Sequence, residues 1–166
     1  MIHLTEIEAE WEMIRNFGLE GLPMLRIKVL KLNPAARLPR YAHTGAWGDL
    51  AADLHAIDEA TLAPGQTLAV ATGIALELPS EYGALVEDRS GLALRGLTTL
   101  AGVIDPGYRG EIKVVLTNLG SEPKEIIAGD RIAQLRLVRR YEAVFEEVDE
   151  LIEAPRGVGG FGSTGQ

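Results

Sequence analysis

Gly102-Val103-Ile104-Asp105-Pro106-Gly107-Tyr108-Arg109-Gly110-Glu111-Ile112-Lys113-Val114-Val115-Leu116 reads as strand, turn and strand, with no room for a helix. The β-branched pair Val103-Ile104 favours extended backbone, Pro106-Gly107 turns the chain, and an apolar strand follows. The same grammar recurs on both sides. Leu25, Ile27 and Val29 alternate with Arg26 and Lys28, as in a half-buried strand. Similar runs occupy 67–78, 82–87, 111–119, 130–138 and 141–148, separated by Pro64-Gly65, Pro79-Ser80 and Gly129-Asp130. Many short strands without interleaved long helices predict an all-β antiparallel sandwich, jelly roll or barrel.

The chain ends differ from this middle. Ile7, Trp11, Ile14 and Phe17 fall on one helical face, Thr5 and Glu8 fit a capping box, and Gly18 fits a stop. The expected organisation is a helical N-terminal extension at 1–23, a β domain at 24–150 and a Gly-rich tail at 151–166. That tail, Arg156-Gly157-Val158-Gly159-Gly160-Phe161-Gly162-Ser163-Thr164-Gly165-Gln166, is too poor in apolar residues to build a core. It reads either as a frayed end or as a lid carrying one cation, one ring and two hydroxyls.

Composition narrows the function. The 166 residues carry 16 Lys+Arg against 24 Asp+Glu, a net charge of −8, which disfavours broad nucleic-acid binding. With no Cys there is no disulfide framework, thiolate metal site or Cys nucleophile. No apolar stretch is long enough to span a membrane, and the acidic start lacks a signal peptide's basic region, so a cytoplasmic protein is expected. His3, His43 and His55 are not spaced as a metal site.

Three clusters could carry chemistry. In Glu87-Asp88-Arg89-Ser90-Gly91-Leu92-Ala93, a cation, a hydroxyl and a glycine suit an anion such as phosphate; a tight turn with a surface ion pair is the alternative. Asp105 is either a positioned general base, with Tyr108 walling a planar ligand, or simply a turn initiator. In Gly129-Asp130-Arg131-Ile132-Ala133-Gln134-Leu135, strand alternation puts Gln134 opposite Ala133, Leu135 and Leu137, facing either a cleft or solvent.

Taken in order, these clusters resemble the five motifs of the trimeric deoxyuridine triphosphate nucleotidohydrolases, the dUTPases, over residues 25–166. Asp53-Leu54 is similar to the first motif, Arg89 to Ala93 the second, and Gly102 to Glu111 the third. Gly129 to Leu135 matches the fourth, and Arg156-Gly157 with Gly159 to Gly165 the fifth. The resemblance implies a distorted jelly-roll β-barrel, a homotrimer with active sites at subunit interfaces, and hydrolysis of dUTP to dUMP and pyrophosphate. Asp105 would deprotonate the water that attacks the α-phosphorus, and Tyr108 would exclude a 2′-hydroxyl. Arg89, Ser90, Gly91 and Gln134 would hold phosphates, and Arg156 would reach the γ-phosphate. Phe161 would stack on uracil, Ser163 and Thr164 would supplement the phosphate contacts, and Gly162 is a further substrate contact. Thr99, Val103, Ile104 and Lys113 complete the implied substrate contacts. Asp53 would support, through water, an Mg²⁺ that rides on the triphosphate.

The sequence departs from the family pattern at Asp88, where Pro is usual, and at Thr99, often an Asn that touches uracil. The first motif, Leu50-Ala51-Ala52-Asp53-Leu54, also differs from its usual Gly-Tyr-Asp-Leu. Two other readings compete. The related dCTP deaminases need a Glu ten residues after the Asp, and Val115 stands there. A catalytically silent trimeric binding module would be expected to lack Asp105, Tyr108 or Arg156, and all three are present.

Overall fold

The computed structural model describes residues 25–155, 157 and 158. The N-terminal extension at 1–23 and the tail residues Arg156, Phe161, Gly162, Ser163 and Thr164 lie outside the described residues. The described chain is all-β apart from one short helix, α1 (Ser90–Ala93). No described helix is long and apolar enough to cross a membrane.

Four antiparallel sheets enclose the core. The largest orders β2 (Ala52–His55), β11 (Arg131–Arg139), β6 (Tyr82–Glu87) and β8 (Val103–Ile104). A second orders β4 (Thr67–Ala71), β9 (Lys113–Asn118) and β7 (Leu97–Leu100). Two pairs complete the body: β1 (Lys28–Lys31) with β5 (Ile74–Glu77), and β3 (Ala60–Leu62) with β10 (Lys124–Ile126). Strands from opposite ends of the sequence lie side by side, as a jelly roll requires.

Alternation explains the packing. Val114 and Leu116 on β9 are buried with Leu97, Val70, Leu54 and Leu135. The alternating N-terminal run enters a strand only at its end: β1 takes in Lys28 and Val29, while Ile27, just before it, packs on the core with Val29 and Leu30 is exposed.

The structure corrects two strand expectations. The run at 67–78 is two strands, because the chain bends at Gly73 (φ +68), where a Cβ would also crowd Ala36. Residues 141–148 form no strand: Val144 and Phe145 stand in solvent with no neighbouring strand in the described chain.

Candidate active site

β8, the turn after it and the start of β9 enclose a cavity of about 530 Å³, lined by Val103, Asp105, Tyr108, Glu111, Lys113 and Val115 among others. β8 is anchored on β6, Ile104 opposite Ala84 and Val103 opposite Leu85. The backbone N–H of Tyr108 donates to the Asp105 carbonyl at 3.1 Å. Asp105 is therefore a turn initiator, and its carboxylate also lines the cavity, with no hydrogen-bond or ion-pair partner among the described residues. Ile104 is half-buried behind it.

Tyr108 lies folded over Gly110, its hydroxyl donating to the Glu111 carbonyl at 3.0 Å. A Cβ on Gly110 would stand 2.6 Å from Tyr108 Cζ, so only glycine leaves the ring this seat. The Glu111 carboxylate is tied down by the Gly73 N–H at 2.9 Å and lies 3.6 Å from Lys113 Nζ.

A second cavity, of about 550 Å³, holds Arg89, Arg95, Lys124, Asp130 and Arg131 on its walls. Its positive side is organised by Asp53, which is only 5% exposed. Arg89 Nε donates to one Asp53 oxygen at 3.0 Å and Arg131 Nη1 to the other at 3.1 Å. Arg89 also donates to the Arg131 carbonyl at 3.3 Å. The Asp53 backbone is pinned between Arg40 and β11, which leaves the carboxylate little freedom. A register shift between Arg131 and Ala133, a bulge in β11, accompanies the approach of Arg131 to Asp53.

Arg89 is the N-cap of α1, and Ser90 and Gly91 are exposed in its first turn. Gln134 sits between Asp53 and Glu87 in the sheet register, half-buried, while Ala133 and Leu135 turn inward. Glu87 takes a two-pronged ion pair from Arg136, which holds its carboxyl below the usual range. His55, across from Arg131, keeps a buried Nδ1 without a partner. Burial, and then the charge of Arg37, lower its pKa and favour the neutral ring.

The structure gathers the expected residues into two places. Asp105, Tyr108, Val103, Ile104 and Lys113 share the first cavity, and Arg89 lines the second; the two have no lining residue in common. Ser90, Gly91, Gln134 and Thr99 line neither, and Thr99 faces Asp88 instead. Asp53, expected to support Mg²⁺ through water, has both carboxylate oxygens occupied by guanidinium groups. Arg131 and Glu111, to which no role was assigned, are tied to Asp53 and to the Gly73 N–H respectively.

A family model described as dUTPase matches residues 41–165. The chain belongs to the dUTPase family. It is 50% identical over 145 residues to the deoxyuridine 5'-triphosphate nucleotidohydrolase of Thermobifida fusca, covering 85% of this chain and 79% of that protein. Identity to the same enzyme of Solibacter usitatus is 47%, over 86% of this chain and 97% of that one. Among solved dUTPases, that of Staphylococcus bacteriophage 80alpha with dUPNHPP aligns with a TM-score of 0.77 and 25% identity, covering 86% and 100% of the two chains. The phage phi11 dUTPase described with a structural Mg(II) ion shares the fold at a TM-score of 0.70 and 22% identity, over 78% of this chain and 100% of that one. Val115 is an apolar wall of the Asp105 cavity.

Proposed function

We propose that this chain hydrolyses dUTP to dUMP and pyrophosphate, as a homotrimer in the cytoplasm. The observation that carries the reading is Asp105, whose backbone is fixed by a turn in the cavity that Tyr108 walls and whose carboxylate has no partner among the described residues. Asp105 takes a proton from water as the water oxygen bonds to the α-phosphorus. The bond from that phosphorus to the α–β bridging oxygen breaks, and pyrophosphate leaves with the electron pair. Arg89 and Arg131, pre-aimed by Asp53, offset the charge that moves onto it. Ser90, Gly91 and Gln134 add neutral contacts to the phosphates, and Lys113 brings a cation to the cavity that Asp105 lines.

Mg²⁺ enters as part of the substrate and adds charge neutralisation at the phosphate oxygens. Arg156, Phe161, Gly162, Ser163 and Thr164 are assigned to the γ-phosphate, the uracil face and further phosphate contacts.

The trimer explains why the two half-sites are apart on one chain. Base and sugar would meet the Asp105 cavity of one subunit while the phosphates meet the arginines of another. Phe145, 94% exposed, and Ile152, 98% exposed, suit a C-terminal arm that covers a second copy.

A pyrophosphate-release assay across deoxy- and ribonucleoside triphosphates tests the reading. dUTP is expected to react well ahead of dCTP, dTTP and UTP; no release from dUTP at saturating Mg²⁺ overturns it. Ammonia from dCTP would restore the deaminase reading. Gly110→Ala, by unseating Tyr108, is expected to narrow the preference for dUTP over UTP by at least about tenfold. An unchanged ratio would show that the ring's seat does not set sugar selection.

A further inference from the structure

Asp88 stands where the family pattern has Pro, and Thr99 where it often has Asn; in the folded chain these two departures touch. Thr98 Oγ1 donates to one Asp88 oxygen at 2.7 Å. The Thr99 hydroxyl donates to the other at 2.7 Å, and the Thr99 backbone N–H donates to that same oxygen. β7 is the edge strand of its sheet, so this N–H has no strand partner and would otherwise face outward. Burial alone would raise the Asp88 pKa, and the three hydrogen bonds outweigh it, keeping the carboxyl ionised and below the usual range.

The position of this cluster gives it a consequence. Asp88 immediately precedes Arg89, the phosphate-side cation, while Thr99 opens the turn that leads through Ala101 and Gly102 to Val103 and Asp105. That turn is unfavourable by itself: Ala101 has φ +62, in the left-handed region. It is held from both sides by the end of β6, through Asp88 at Thr99 and through the Val86 N–H donating to the Gly102 carbonyl at 2.8 Å. The Thr99 hydroxyl, having given its proton to Asp88, can offer only an acceptor to any other neighbour.

We propose that Asp88 is a positioning residue that fixes the base-reading hairpin through Thr98 and Thr99. Its place in the reaction rests on the dUTP reading above. The hairpin, not the phosphate arginines, is what Asp88 orders, so binding and base choice should suffer more than turnover.

Steady-state kinetics on the full chain test this, with dUTP and dCTP as substrates. Asp88→Ala is expected to raise KM for dUTP about tenfold and to cut the dUTP-to-dCTP ratio of kcat/KM about tenfold, with kcat within about threefold. Asp88→Asn, whose amide oxygen still accepts both Thr99 bonds, is expected to recover most of the loss. In the double variant with Thr99→Val, the two effects should fall short of additive, because the pair acts as one unit. A fall in kcat at constant KM, unchanged base selection or full additivity overturns the proposal. Amide exchange at Thr99 separates its failure from that of the dUTP reading. It should be slow in the wild type and in Asp88→Asn, and fast in Asp88→Ala. Equal exchange in all three overturns the latch whatever the activity, and a wild type inactive on dUTP overturns the functional reading and its kinetic consequence.

Discussion

Asp105→Asn is expected to lower kcat for pyrophosphate release from dUTP by about 10²–10⁴-fold, with a folded protein and nearly unchanged KM. The substitution keeps the shape of the side chain but replaces the anionic carboxylate with a neutral amide that cannot take a proton from water. Little structural damage should accompany it. The turn at 105–108 is closed by the Asp105 backbone carbonyl, not by the carboxylate. The strand before it is held by pairing with β6, through Ile104 and Val103. The carboxylate makes no hydrogen bond or ion pair within the described chain, so no internal partner is stranded by its loss. A melting temperature within about 2 °C of the wild type, measured beside the kinetics, would confirm that separation. A variant retaining more than about a tenth of wild-type kcat would show that another group activates the water.

The Asp105 region was legible because everything it needs is local: two β-branched residues, a Pro-Gly turn and a strand within one short stretch. β6 was legible for the same reason, and its residues 82–87 form the strand that the pattern predicts. Alternation failed at 141–148, where the apolar residues are real but no strand among the described residues lies alongside to take the hydrogen bonds. Three-residue strands such as β3 and β10 are too short to show any period. The Arg89 cavity was half legible. Arg89 stood out beside Ser90 and Gly91, whereas its orientation depends on Asp53, 36 positions away, and on Arg131, 78 positions from Asp53. The pairing of β11 with both β2 and β6 brings those charges together. The contact between Asp88 and Thr99 was hidden in the same way: each was visible as a departure, and their meeting required the β6 end to lie against β7.

Asp53→Asn is the second substitution with a large expected effect, and it should act on stability and binding together. The Asp53 side chain is 7% exposed, while those of Arg89 and Arg131 are 24% and 49% exposed. An amide there can accept from one guanidinium only; its NH₂ faces the other, setting donor against donor. Removing one partner from a buried ion pair costs about 3–5 kcal/mol when the remaining charge stays buried. Arg131 can turn to water, which lowers the expected loss to about 2–3 kcal/mol, or roughly 4–12 °C in Tm for a chain of this size. Binding should weaken as well, because Arg89 loses the anchor that aims it before substrate arrives. The expected signature is a rise in KM for dUTP and a fall in kcat/KM of about 10²-fold or more. Inorganic pyrophosphate should likewise inhibit the variant less than the wild type, since it meets only the phosphate side. If Asp53→Asn melts with the wild type and keeps its pyrophosphate inhibition, Asp53 does not orient the arginines. In that event the contacts at 3.0 and 3.1 Å would contribute no more than an exposed ion pair.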